Sequence, residues 1–490
     1  MIYPSLEEAK KIIEKDDYGV VPICMELYAD IKTPIETLKI LKGVSSNVFI
    51  LESVDNSHRL GRYTFLGYDP KLEITCYNHK LQIKTGTIIN EEVNHPNKYI
   101  RKIIRENKSP KIEGLPTFTG GLVGYFSYDY IKYGEPKLNL DGKDEERFND
   151  VDLMLFDKVI AFDNYNQKII LIVNVKVDNL EVNYRKAEME LKSMADLIIN
   201  GKTTENEKLK IKSNFKEYFS KEEYCNMVIK AKKYIKEGDI FQVVLSNRIE
   251  AEMEGSILDC YRVLRTTNPS PYMFYFYSND VEIAGASPET LVKLENNKLY
   301  TFPLAGTRKR GISEEEDLEI ERELLQDEKE LAEHNMLVDL GRNDIGKIGE
   351  IGSVKVEKYM SIERFSHVMH IGSTVSGKIR KDKDSLDAID AILPAGTLSG
   401  APKLRACEII NELEGNKRGI YGGAIGYIDF TGNLDMCISI RLAFAKNGKL
   451  FIRSGAGIVA DSIPENEYEE CINKSKAVIT ALNIAKEGIY

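Results

Sequence analysis

Two pairs of glutamates carry the strongest chemical signal in the chain. Glu330 and Glu333 in KELAEHNMLVD (329–339) are three residues apart, as are Glu467 and Glu470 in PENEYEECINKSKA (464–477). That spacing puts both carboxylates of a pair on one helix face. Lys474 lies one turn beyond Glu470 on the same face. Two carboxylates projecting from each of two helices suit a hard divalent cation such as Mg2+, which takes carboxylates, waters and a substrate's own oxygens. Both segments are also rich in Glu and Lys, so spacing alone leaves a solvated surface open.

Glycine-rich segments form the second signal. AGTLSGAPK (395–403) leads into a helix expected to begin near Pro402 and to stop at Gly415. Free N–H groups at such a start favour an anion. RSGAGIV (453–459) is read as a similar turn ahead of the Glu467/Glu470 helix. FPLAGTRKRG (302–311) reads as a loop that meets an anion, with Ala305 ahead of Gly306-Thr307 and three cations beyond. None of these fits GxxxxGK[ST], or GxGxxG in a βαβ setting, so nucleotide binding is not supported, and plain loop geometry stays open for each. His367 and His370 in RFSHVMH are three apart, and each is open to a structural or a chemical role. No cysteine sits in a glycine-flanked strand-turn-helix elbow of the kind a nucleophile uses.

The elements that position these residues follow from patterning. With 490 residues, 42% hydrophobic and 29% charged, the chain has ample apolar material for a core. A formal net charge of −10 is a poor match to nucleic acid or an anionic membrane, so an anion site must build its positive potential locally. No run approaches the roughly 18 apolar residues of a membrane span, and the N-terminal stretch lacks a signal core. Seven scattered cysteines, none spaced as CxxC, read as reduced thiols of a cytoplasmic protein. Residues 151–177 read as strands, with a hairpin turn at Asp163–Gln167. Ser220 and Glu223 form a capping box ahead of a helix that Gly238 ends. Strands follow at Phe241–Leu245, Tyr272–Tyr277 and Lys298–Phe302, and one long charged helix is expected from about Glu314 to Leu340. Strands and helices mix without regular βα alternation. That predicts an α+β fold with large antiparallel β-sheets in a two-domain sandwich flanked by helices. The polar stretch NGKTTENEKLKIKSNF divides it into an N-terminal domain (1–199), a linker (200–215) and a C-terminal domain (216–490).

The signals line up with a family. GDIFQVVLS (238–246), NPSPYMFY (268–275), GASPE (285–289), PLAGTRKRG (303–311), LAEHNMLVDLGRND (331–344), FSHVMH (365–370), LPAGTLSGAPK (393–403), YGGAIGY (421–427), IRLAF (440–444) and GAGIVADSIPENEYEE (455–470) resemble the chorismate-utilising enzymes. With ILES (50–53) and GRYTFLG (61–67) added, about residues 5–485 are similar to the large (component I) subunits of anthranilate synthases. The resemblance implies that chorismate binds with Mg2+, that ammonia adds at C2 as the C4 hydroxyl leaves, and that pyruvate is then eliminated. By motif match, Glu333 and Glu470 are the expected Mg2+ ligands, supported by Glu330 and Glu467. Arg441 and Tyr421 are expected on the enolpyruvyl carboxylate, with Gly306, Thr307, Gly455, Ala456, Gly457 and Lys474 completing the pocket. Glu289 matches the general acid at C4, its pKa raised by burial beside other carboxylates. His370 matches a general acid/base for pyruvate elimination, and Thr397 a substrate-positioning residue.

Two positions discriminate within the family. Relatives that form isochorismate activate water with a lysine where this chain has Gln242, and aminodeoxychorismate synthases place a nucleophilic lysine where this chain has Ala305. Both substitutions point to anthranilate. The alternatives are an aminodeoxychorismate synthase component I and an inactive tryptophan-sensing module. Glu52, Ser53, Asn268, Pro271, Tyr272 and Met273 match the family's tryptophan pocket, which implies feedback inhibition by L-tryptophan. The chain contains no tryptophan, which suits an enzyme needed when tryptophan is scarce. No glutaminase motif is present. The resemblance therefore implies a separate glutaminase subunit supplying ammonia, in a heterotetramer of two large and two small subunits.

Overall fold

Two antiparallel sheets, packed face to face, organise the computed structural model, which describes residues 2–53, 61–204, 207–278, 280–364 and 368–489. The first sheet starts with Ile2–Tyr3, Val20–Tyr28, Lys168–Lys176, Lys158–Asp163, Tyr63–Tyr68 and Val48–Glu52. It continues without a break into Tyr272–Tyr277, Glu282–Ser287, Leu442–Lys446, Lys449–Ile458 and Gln242–Glu254. The second runs from Leu304–Lys309 through Val368–Lys378, Lys298–Thr301, Thr290–Glu295, Leu434–Ile438 and Ala424–Asp429 into Gly121–Phe126, Val151–Phe156 and Leu72–Tyr77. Each sheet therefore joins strands from before and after the polar stretch at 200–215. The seams are ladders with Glu52 opposite Met273 and Gly124 opposite Gly426.

Aromatic side chains fill the space between the sheets. Phe49 of the first sheet meets Phe156 of the second edge-on, with ring centroids 4.7 Å apart, and Phe274, Phe276, Phe444 and Phe451 join the same cluster. Edge-to-face packing of this kind adds to area burial. Helices Leu180–Asn200, Leu258–Thr267 and Pro464–Glu487 cover the outer face of the first sheet through residues such as Leu191, Leu264 and Leu482.

Most local expectations hold. Ser220 and Glu223 exchange the two capping-box hydrogen bonds, and Gly238 ends helix Lys221–Glu237 at φ 86°. Pro402 caps helix Lys403–Glu414, which Gly415 closes at φ 58°. The strand expected at Phe241–Leu245 runs on to Glu254.

Three segments differ. The long charged helix is two, Glu314–Leu324 and Glu328–Ile348, because the Asp327 carboxylate caps the N–H groups of Lys329 and Glu330 at 3.2 Å and starts a new helix. FPLAGTRKRG is not an open loop: Leu304–Lys309 is a strand bulged between Ala305 and Thr307, where Gly306 turns at φ 59°. RSGAGIV is the end of strand Lys449–Ile458, paired along its length with Gln242–Glu254. Glycine hides that strand because it contributes no apolar alternation to read.

Candidate active site

The bulge at Gly306, the turn at Arg441 and the helices of the two glutamate pairs lie near one another: Gly306 approaches Glu330, the Arg441 charge acts on His370, and that of Glu470 on Glu333. Thr307 and His370 face each other across neighbouring strands, with Thr307 Oγ1 3.1 Å from His370 Nδ1. Burial lowers the His370 pKa, a hydrogen bond to the Gly306 backbone opposes that, and the Arg441 charge lowers it further. His370 is thus biased toward the neutral ring that accepts a proton. His367 lies outside the described residues. Gly306 is required at its place twice over: its φ is left-handed, and a Cβ there would press on Leu324 at 2.8 Å and Glu330 Oε2 at 3.3 Å. The cations after it are not a free anion clamp. Arg308 pairs with Asp327 at 2.8 Å and Glu330 at 3.3 Å, and Arg310 with Asp317 at 2.5 Å.

Arg441 sits in the turn between Leu434–Ile438 and Leu442–Lys446 at φ 53°, a conformation that costs a non-glycine residue of order 1 kcal/mol. Its guanidinium donates to the Lys474 carbonyl at 2.7 Å, and the Glu470 carboxylate opposes the lowering of its pKa by burial. The Tyr421 hydroxyl packs on Gly455, where a Cβ would stand 3.1 Å from it and 2.5 Å from the Leu245 carbonyl oxygen. Lys474 is the hub. Its ammonium reaches the Gly455 carbonyl at 3.1 Å and Glu470 at 2.6 Å. Ala456 and Gly457 continue the same strand, opposite Leu245 and Val244.

Glu289 accepts a hydrogen bond from Thr397 Oγ1 at 3.0 Å. Burial pushes its pKa up to about 7, against the lowering effects of Thr397 and Lys474. The expectation of neighbouring carboxylates as a cause is corrected: desolvation alone raises it. A carboxyl half-protonated near neutrality can donate a proton to a departing oxygen.

The two glutamate pairs face one another across the cleft. Burial raises the pKa of Glu333, followed by the charges of Glu330 and Glu470, and Glu467 is raised by burial and by Glu470. Carboxylates that repel in this way are hard oxygen donors whose repulsion a divalent cation relieves, so the donor set fits Mg2+. Among the described residues no group of three or more His, Cys, Asp or Glu already stands in ligand position. Glu470 is turned to Lys474 and Glu330 to Arg308.

Sequence reasoning missed the floor of the site. Glu414, fully buried, binds Arg418 at 2.5 Å and Arg453 at 2.7 Å. Arg418 then donates to the carbonyls of Leu398, next to Thr397, and Val244 at 2.6 Å. The available signal was three charges set among apolar and glycine residues. The expected effector residues are only partly together. Glu52 pairs with Arg265 and Tyr261 beneath Met273, its cross-strand partner, and Ser53 Oγ is buried with no partner among the described residues. Asn268 ends helix Leu258–Thr267 and leads through Pro271 into the strand. The Tyr272 side chain points the other way, into the space between the sheets.

Residues 46–480 match the model of a family described as chorismate binding enzyme. The anthranilate synthase component 1 of Acetivibrio thermocellus is 47% identical over 99% of this chain and 100% of its own length. That of Aquifex aeolicus is 44% identical over 99% and 98%. The crystal structure of anthranilate synthase component I from Streptococcus pneumoniae TIGR4 superposes with a TM-score of 0.75 at 36% identity, covering 92% of this chain and 98% of that one.

Proposed function

The chain belongs to the chorismate-binding enzyme family, and from that membership we propose that it is the large subunit of an anthranilate synthase. In this role it converts chorismate and ammonia to anthranilate and pyruvate, the first step of tryptophan biosynthesis. The observation that carries the proposal is Glu289, a buried carboxyl held by Thr397 whose burial pushes its pKa up to about 7. Hydroxide is a poor leaving group, and in this reading Glu289 protonates it. Arg441 supplies a planar fork for a carboxylate, with Tyr421 beside it. His370, neutral and aligned by Thr307, takes the proton whose loss releases pyruvate.

Glu333 and Glu470, backed by Glu330 and Glu467, are the residues that would hold Mg2+. The ion, when bound, supplies Lewis-acid charge neutralisation for a carboxylate of the substrate. Heat of Mg2+ binding measured on Glu333→Gln and Glu470→Gln should fall well below that of the unaltered chain.

Ala305 offers no amine to attack the ring, which favours anthranilate over aminodeoxychorismate, and a mere binding module has no use for Glu289 and His370. The relatives' designation as component 1 supports a second component, which we take to be a glutaminase that delivers ammonia, in a heterotetramer of two chains of each kind. The Ser53 hydroxyl beside Glu52, buried with no partner among the described residues, supports an effector pocket for L-tryptophan acting through feedback inhibition. If Ser53→Phe leaves inhibition by tryptophan unchanged, that pocket is misplaced. Among the described residues no helix is long and apolar enough to cross a membrane. The free cysteines support a cytoplasmic location. The test is incubation with chorismate, Mg2+ and ammonium at about pH 8.5. Anthranilate fluorescence should rise, and its absence while chorismate is consumed would refute the assignment.

A further inference from the structure

Strand Tyr272–Tyr277 lies at the seam of the first sheet, between Val48–Glu52 and Glu282–Ser287. Its side chains alternate, as a strand's must. Met273 and Tyr275 enter the helix-covered core on one side, while Tyr272, Phe274 and Phe276 enter the layer between the sheets. Of those last three, Tyr272 alone carries a hydroxyl, and that hydroxyl crosses to the other sheet. It donates to Asp435 Oδ1 at 2.8 Å and lies 2.9 Å from Thr290 Oγ1.

Thr290 immediately follows Glu289, and the second sheet is irregular there. Thr290 pairs with Cys437 and Val292 with Met436, so Leu291 is an extra residue in the ladder. A bulge leaves the extra residue unpaired and bends the strand, so contacts from outside the ladder bear on its local direction. The acid's own backbone is held by one good hydrogen bond, from the Ile438 N–H to the Glu289 carbonyl at 2.9 Å, and by two long ones at 3.4 Å with Ser287, whose Oγ faces both the Glu289 N–H and the Glu289 carbonyl. The hydroxyl of Tyr272 adds a constraint from across the interior. It fixes Thr290 at the bulge and Asp435 on the neighbouring strand at the same time.

We propose that Tyr272 is a positioning residue for the acid step: by holding Thr290 and Asp435 from the opposite sheet, it sets where the Glu289 carboxyl meets Thr397 and the departing hydroxyl. The inference rests on the reading of Glu289 as the acid. Tyr272 itself touches no substrate.

Four proteins test it: the unaltered chain, Tyr272→Phe, Glu289→Gln and the double variant, each assayed with chorismate, Mg2+ and ammonium and checked by thermal melting. Loss of the two hydrogen bonds of the Tyr272 hydroxyl, to Asp435 and Thr290, predicts a fall in kcat of about five- to tenfold for Tyr272→Phe, with KM for chorismate within about twofold of the unaltered value. In the Glu289→Gln background the same change should cost nothing further, because its effect runs through the acid. Thr290→Val supplies a second cycle, in which Tyr272→Phe/Thr290→Val should be no slower than the slower single variant. A Tyr272→Phe enzyme with unaltered kcat, or an equal fold-loss with and without Glu289, would overturn the proposal. Glu289→Gln with unaltered turnover would overturn the acid assignment itself, and the positioning role with it.

Discussion

In the proposed reaction Glu289 and His370 divide the proton work at the residue scale, and their surroundings set the division. Burial holds Glu289 near a pKa of 7 and keeps His370 neutral by lowering its pKa. With Glu289 as the proposed acid its protonated form is the active one, so kcat/KM for chorismate should fall as pH rises through about 7 when free NH3, rather than total ammonium, is held constant. Glu289→Gln should lower kcat by roughly 100-fold or more and remove that limb. Stability gives an independent check. Because the folded pKa lies above the unfolded one, the native state binds the extra proton between pH 4.5 and about 7, and stability falls with rising pH across that window. Glu289→Gln should therefore melt higher than the unaltered chain at pH 8, by at most ~3 kcal/mol. Much of this was legible in sequence: GASPE and FSHVMH gave the residues by resemblance. The cause of the Glu289 shift was not, since desolvation depends on packing contributed by distant segments.

At the scale of elements, the site is built from strand ends kept close by missing side chains and by buried charge. Gly455 admits both the Leu245 carbonyl and the Tyr421 hydroxyl. Gly455→Ala should push the two strands apart and raise KM for chorismate several-fold in steady-state assays. Glu414 bridges Arg418 and Arg453 beneath Thr397. Glu414→Gln leaves two guanidiniums facing a neutral amide, with an expected loss of about 3–5 kcal/mol in urea unfolding. The helix starts at Ser220 and Lys403 were readable because capping and proline chemistry are local. The break at Asp327 was missed because charged residues on both sides continue a helical pattern. The strand holding Gly455 was missed because two glycines in three residues erase the alternation.

The whole molecule adds what neither scale contains, the joining of distant segments. An α+β fold with large antiparallel sheets was foreseeable from the mix of elements, but not that both sheets would run through the polar stretch at 200–215. Glu52 pairs with Met273 and Gly124 with Gly426, contacts that no periodicity announces. Each half alone would expose the open seam edges of both sheets, a ready site for aggregation. Residues 1–204 and 207–490 expressed separately should be insoluble, and expressed together they should recover soluble protein, as read by centrifugation. The cleft that this assembly creates brings an acid, a neutral histidine, a guanidinium and two glutamate pairs to one place, and its chemistry is best read from the product. Chorismate supplied with Mg2+ and nitrogen-15 ammonium should yield labelled anthranilate and pyruvate in equal amounts. A labelled product that retains the enolpyruvyl group, or an unlabelled hydroxylated one, would contradict the assignment.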